Sequence, residues 1–163
     1  MPDNTDPEAD PIIVLDGVAN WSKWMPLAAA AESAPRLPGV YRVREGATGP
    51  LVYIGMAGER AGGKTPKGLQ GRLRVYLSGK ALTSGLGEAL ADRAFADAAW
   101  IRSRLEELEA GTPQRAREWG RATFERVDPY VSWTTTADRA TAIALEDRCI
   151  RSLENHRLWN RRR

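Results

Sequence analysis

The chain has little of what would cross-link it or carry it into a membrane. Its 163 residues include a single cysteine, Cys149, which excludes an internal disulfide framework and fits a reducing compartment. Long apolar runs are missing too, since none approaches the ~18 residues that crossing a bilayer requires. The N-terminus is acidic rather than basic, unlike a secretory signal peptide, so the expectation is a cytoplasmic protein with no membrane partner. Histidine is as scarce as cysteine: His156 stands alone, and at the end of an expected helix it serves better as a C-terminal charge than as a catalyst. A strong overall charge is also absent, with 24 Lys and Arg against 21 Asp and Glu.

What is present is unevenly distributed. Residues 1–10 hold four acids and no base, whereas 60–80 holds Arg60, Lys64, Lys67, Arg72, Arg74 and Lys80 and no acid. Polar and proline-broken, residues 1–11 read as a disordered acidic tail. Residues 12–163 then form a single domain whose basic body suits an anionic partner.

Hydrophobic patterning predicts an α+β domain. Residues 40–44 alternate in character, 51–56 are apolar enough to sit centrally, and the glycine-containing connection between them implies an antiparallel hairpin. Residues 130–136, rich in β-branched and aromatic side chains, read as a third strand. Ahead of the hairpin, Trp21, Trp24 and Met25 with an alanine-rich patch suggest a short helix or two packing on the sheet. A further helix starts near Gly68, with Leu69, Leu73 and Leu77 as its core stripe. Arg72 and Tyr76 share one flank of that stripe, and Arg74 points away. Residues 84–109 read as one helix, ended by Gly111. Thr112 and Pro113 read as the N-cap and first position of another helix that runs to about Arg121. The result is an inserted helical hairpin at about 84–121. Asp138 caps a last helix that reaches about His156.

Residues 58–65, GERAGGKT, satisfy the phosphate-loop pattern G-x-x-x-x-G-K-[ST] and follow an expected strand. IIVLD, 12–16, is a formal companion whose aspartate could hold magnesium. Context disfavours a nucleotide hydrolase, because Gly68 and Gly71 would fall inside the required helix and the preceding strand would need parallel neighbours. A basic loop that touches a nucleic-acid backbone, through Lys64, Lys67, Arg74 and Lys80, is the better reading. In the last helix, Glu146 falls among Ile143, Ile150 and Leu153 on the expected apolar face. A carboxylate there must be paired, for instance with Arg72, or bound to a cation. Cys149 reads as a small core residue.

GVY (39–41), YIG (53–55), Arg72 with Tyr76, Glu146 on a late helix and Asn160 in LWN together resemble the GIY-YIG nucleases. The likeness covers 38–78 and 130–160 in the family's order and leaves the helical hairpin unexplained. It implies a small three-stranded antiparallel sheet flanked by helices and metal-dependent hydrolysis of DNA phosphodiesters, with Glu146 holding Mg2+ or Mn2+ and Arg72 stabilising the transition state. It further implies Tyr53 as general base, Tyr41 and Tyr76 positioning water or phosphate, and Asn160 fixing a loop or the leaving-group side. A tyrosine base needs nearby positive charge, its ordinary pKa being near 10. Several family members carry lysine directly after the YIG-like tripeptide, where this chain has Met56, so Lys64 or Lys67 must substitute or catalysis is slower. A catalytically weak DNA-binding module is the alternative. With no separate recognition domain in view, target selection falls to the hairpin, the N-terminal segment or a homodimer.

Overall fold

The structure, a computed structural model, describes residues 9–58 and 67–161. The pattern 58–65, and Lys64 with it, therefore lies outside the described residues apart from Gly58.

The apolar run at 12–15 is helical, not a strand. Asp10 accepts the amide of Ile12 at 2.8 Å and Pro11 takes the first position, opening α1 (Pro11–Asp16). The folded domain thus reaches back into the expected tail, and His156 Nε2 lies 3.0 Å from the Ala9 carbonyl. The last helix stops before that histidine, at Ser152, so His156 is not a helix-end charge.

The three expected strands are β2 (Gly39–Glu45), β3 (Leu51–Ala57) and β4 (Pro129–Thr135). A two-residue β1 (Met25–Pro26) pairs with β4, so the sheet has four strands rather than three, in the order β1-β4-β2-β3. Every pairing is antiparallel. Pro26 lacks the N–H that would extend β1, which confines it to the sheet edge. Its carbonyl end leads directly into α2 (Leu27–Ser33).

Helices cover both faces of the sheet. On one face, α2, α3 (Gly68–Leu77), α4 (Gly85–Phe95) and α6 (Ala116–Val127) bury Tyr41, Val43, Leu69, Leu73, Tyr76, Leu86, Leu90 and Phe124. On the other face, α1 and α7 (Arg139–Ser152) bury Leu15, Val40, Ile54, Cys149 and Leu153. The alternation in β2 does not send Arg42 to water. It is 3% exposed, ion-paired to Asp16 at 2.8 Å, with its guanidinium 4.5 Å and 4.8 Å from the rings of Trp21 and Trp24. Burial lowers the Arg42 pKa, and the Asp16 carboxylate opposes that shift.

Two helix faces differ from expectation. In α3 the buried stripe is Leu69, Leu73 and Tyr76, while Leu77 is exposed, because the chain turns away at Ser78 and leaves the last position nothing to pack on. In α7 the buried positions are Ala142 and Cys149, with Leu153 just past the end, and Ile143 is exposed. The small side chains face inward because α7 lies close against β3 and β2.

The insertion is three helices, not two. Asp97 interrupts the long pattern by capping α5 (Ala98–Glu109), accepting the amides of Ala99 and Trp100 at 3.0 Å and 3.2 Å. Gly111, at φ +85°, ends α5 as its position suggested. Thr112 and Pro113 do not start the next helix. It begins at Ala116, where the Glu118 carboxylate accepts the Arg115 amide at 2.6 Å, and runs past Arg121 to Val127. Among the described residues no helix is long and apolar enough to cross a membrane.

Candidate active site

The glycines of the hairpin decide where the tyrosines go. Tyr41 on β2 stands opposite Gly55 on β3, the outermost strand. A Cβ at Gly55 would run into the Tyr41 phenol and come within 2.9 Å of the Tyr53 ring. Glycine therefore lets Tyr41 lie across β3 toward its free edge, where its hydroxyl bonds that of Tyr76 on α3. The Tyr53 ring is 6.4 Å from that of Tyr41, and Tyr41 and Tyr76 meet edge to face at 6.0 Å. Gly39 serves packing, since a Cβ there would clash with the Thr134 carbonyl and sit 2.8 Å from Leu69.

Arg72, one turn before Tyr76, is exposed on α3 and lines a hollow of about 350 Å³ with Met56, Gly58, Lys67 and Arg139. Glu146 is half-buried on α7. The two helices cover opposite faces of the sheet, yet both charges bear on one hydroxyl. Burial raises the Tyr76 pKa above the ordinary phenol value; the Tyr41 hydrogen bond and then Arg72 pull it down, while Glu146 pushes it up. Tyr41 is likewise raised, by burial first and then by the neighbouring phenols, with Arg72 opposing. Tyr41, Tyr53 and Tyr76 thus meet at β3 with Arg72 one turn away on α3, while Glu146 stands on α7, which covers the other face.

Tyr41 and Tyr76 are each 2% exposed. Contact with water or phosphate, the role implied for them by resemblance, is closed to these two hydroxyls in this structure. They stay protonated at neutral pH, bonded to each other. The inserted helices join the same core: Phe124 of α6 stacks on the Tyr76 ring at 5.3 Å, Leu86 and Leu90 of α4 are buried with it, and a Cβ at Gly85 would lie 2.7 Å from the Tyr53 Oη.

Asn160 ties the chain end to β3. Its amide donates to the Ile54 carbonyl at 2.6 Å and accepts the Ile54 N–H at 3.0 Å, while Trp159 N donates to Val52 at 2.6 Å. The chain end thereby satisfies the open side of β3. Cys149 is buried, its thiol pKa pushed up to about 11 mainly by desolvation, as befits a core residue.

Lys67, Arg74 and Lys80, nominated for DNA contact, line one hollow of about 420 Å³ together with Arg36, and among the described residues no acid lines it. Gly71 lies under the Lys67 stem, where a Cβ would collide with it. Arg36 and Arg139 escaped sequence reasoning. For Arg139 a signal existed: a cation in a helix's first turn opposes the macrodipole and so calls for another reason. A third hollow, about 840 Å³ and lined by Glu45, Arg93, Asp97, Arg126 and Trp159, mixes both signs and shares none of the tyrosines.

The described elements that flank 58–65 do not suit a nucleotide loop. The first amides of α3, which phosphates would need, are taken by protein carbonyls: Leu69 N by Leu37 at 2.9 Å and Gln70 N by Pro35 at 3.1 Å. Residues 11–16 are helical, and the neighbour of β3 runs antiparallel.

Among the described residues no group of three or more His, Cys, Asp or Glu side chains could cage a metal. A lone carboxylate still suits magnesium, which keeps several waters and takes phosphate oxygens as its other ligands. No protein-family model, no curated protein and no solved structure matches the chain.

Proposed function

We propose that this chain is a metal-dependent endonuclease that hydrolyses DNA phosphodiester bonds by a GIY-YIG-type mechanism. The observation that supports the reading is the clustering of the Tyr41, Tyr53 and Tyr76 rings at the outermost strand, 6.4 Å and 6.0 Å apart, with Arg72 one turn from Tyr76 on α3. Arg72 offers a forked, permanently charged group for the phosphate oxygens as negative charge builds on them. Glu146 would hold a divalent cation, which when bound supplies Lewis acidity toward the phosphate. Tyr53 is the candidate base for the attacking water, held in place by Tyr41 and by the start of α4. Lys67 sits in the hollow that Met56 and Arg72 share and brings positive charge to the place where family members carry lysine. Lys67, Arg74 and Lys80 would carry the DNA backbone.

A weakly catalytic DNA-binding module is the second reading, favoured by the burial of Tyr41 and Tyr76. Incubation with supercoiled, branched and single-stranded DNA, in magnesium or in chelator, separates the two. Magnesium-dependent strand breakage supports the nuclease; salt-sensitive binding without breakage supports the module.

A further inference from the structure

The inserted helices leave one apolar stripe uncovered. α5 has no buried residue along its twelve positions. Ile101, Leu105 and Leu108 recur at i, i+4 and i+7 and share one side of the helix. Leu105 is 50% exposed and Leu108 43%. Trp100, beside this stripe, holds α5 to its neighbours, with its ring 5.6 Å from Trp119 and 6.2 Å from Phe95. On that same side Arg104 bonds Glu107.

The opposite flank carries Arg102, Glu106 and Glu109, all exposed, and among the described residues none of them makes an ion pair. Their order is informative. The base comes first and the acids last, against the preference of the helix's own dipole. An isolated surface helix gains nothing from that order, whereas an antiparallel partner of the same sequence does.

We propose that α5 pairs antiparallel with α5 of a second copy, about a two-fold axis near Leu105. Leu105 then meets its own counterpart, Ile101 meets Leu108, and Arg102 faces Glu109 on both sides of the axis. A parallel pairing would instead turn Arg102 toward the partner's Asp97 and Glu109 toward its Arg104, side chains that Arg126 and Glu107 of their own chain already hold. Self-complementarity under a two-fold axis selects a second copy over a foreign helix. The stripe is short beside a standard interface of roughly 20–30 residues a side, so the dimer is a weak, micromolar one. This pairing stands whether or not the chain cuts DNA.

Sedimentation equilibrium of the full chain from about 5 to 500 μM is the test, a range that brackets micromolar association. A monomer–dimer equilibrium is expected for the wild type, and Leu105→Asp should weaken it at least about tenfold. The melting temperature should hold, Leu105 being half-exposed. At low salt Arg102→Glu and Glu109→Arg should each weaken dimerisation about tenfold. Mixing those two variants, or combining both changes in one chain, should restore it. A wild type that stays monomeric throughout, a dimer that Leu105→Asp leaves intact, or a mixture no tighter than the single variants would each overturn the pairing.

Discussion

The Tyr41 and Tyr76 hydroxyls are bonded to each other over a strand residue that has no side chain, Gly55. That bond joins β2 to α3 across the outermost strand, with Arg72 one turn before Tyr76 on the same helix.

Removing one member of the pair should cost stability in a pH-dependent way. Tyr76→Phe leaves the Tyr41 hydroxyl buried without its partner, an expected loss of about 1–2 kcal/mol at neutral pH. Both phenol pKa values are raised by burial. Stability from that source is therefore fully present below about pH 10 and is lost as pH rises above it, because the unfolded chain releases protons that the folded chain retains. Each raised tyrosine contributes a slope of about 1.4 kcal/mol per pH unit. Urea unfolding at successive alkaline pH values should give a flatter decline for Tyr76→Phe than for the wild type. Parallel declines would contradict this.

Gly55→Ala should be more damaging than an ordinary strand Gly→Ala change. The added methyl meets the Tyr41 phenol, which is pinned by Tyr76 and cannot swing aside. The expected cost is about 2–3 kcal/mol, read by chemical denaturation. A neutral or stabilising result would mean that Tyr41 does not lie across the strand.

Asn160→Ala should release the chain end from β3. It removes both hydrogen bonds to Ile54 and reopens the strand edge. A loss of about 1–3 kcal/mol and faster amide exchange at Ile54 are expected. Unchanged Ile54 exchange would show that the chain end is not what covers that edge.

Lys67→Ala, Arg74→Ala and Lys80→Ala should weaken DNA binding similarly for all sequences. Each should lower the slope of log affinity against log salt by about 0.7–0.9. A change in sequence preference instead of in slope would mean base contacts.

The hairpin, the third strand and the Asp138 cap were legible because short-range chemistry decides them: alternation, turn glycines and a carboxylate able to reach its own helix amides. The faces of α3 and α7 were only partly legible. A wheel places Leu77 and Ile143 with their apolar neighbours, but which flank turns inward depends on where the sheet ends and how closely the helix approaches it. Asp10–Pro11 was a readable helix start, lost because the acidic segment before it suggested disorder. Asp97 was equally readable as a cap within a pattern whose apolar period runs on without a break. The shielding of Tyr76 was not legible, because Phe124 stacks on it from α6, part of an insertion whose docking no local pattern specifies. Arg42 shows the same limit, since its partners Asp16, Trp21 and Trp24 lie far from it along the chain.

Single-turnover cleavage of saturating supercoiled DNA in magnesium, comparing wild type with Arg72→Ala and Glu146→Gln, tests the proposed site most directly. With circular dichroism and melting unchanged, each variant is expected to lose cleavage by about a hundredfold or more, and Glu146→Gln is expected to keep its DNA affinity. Full cleavage by either folded variant would contradict the assignment.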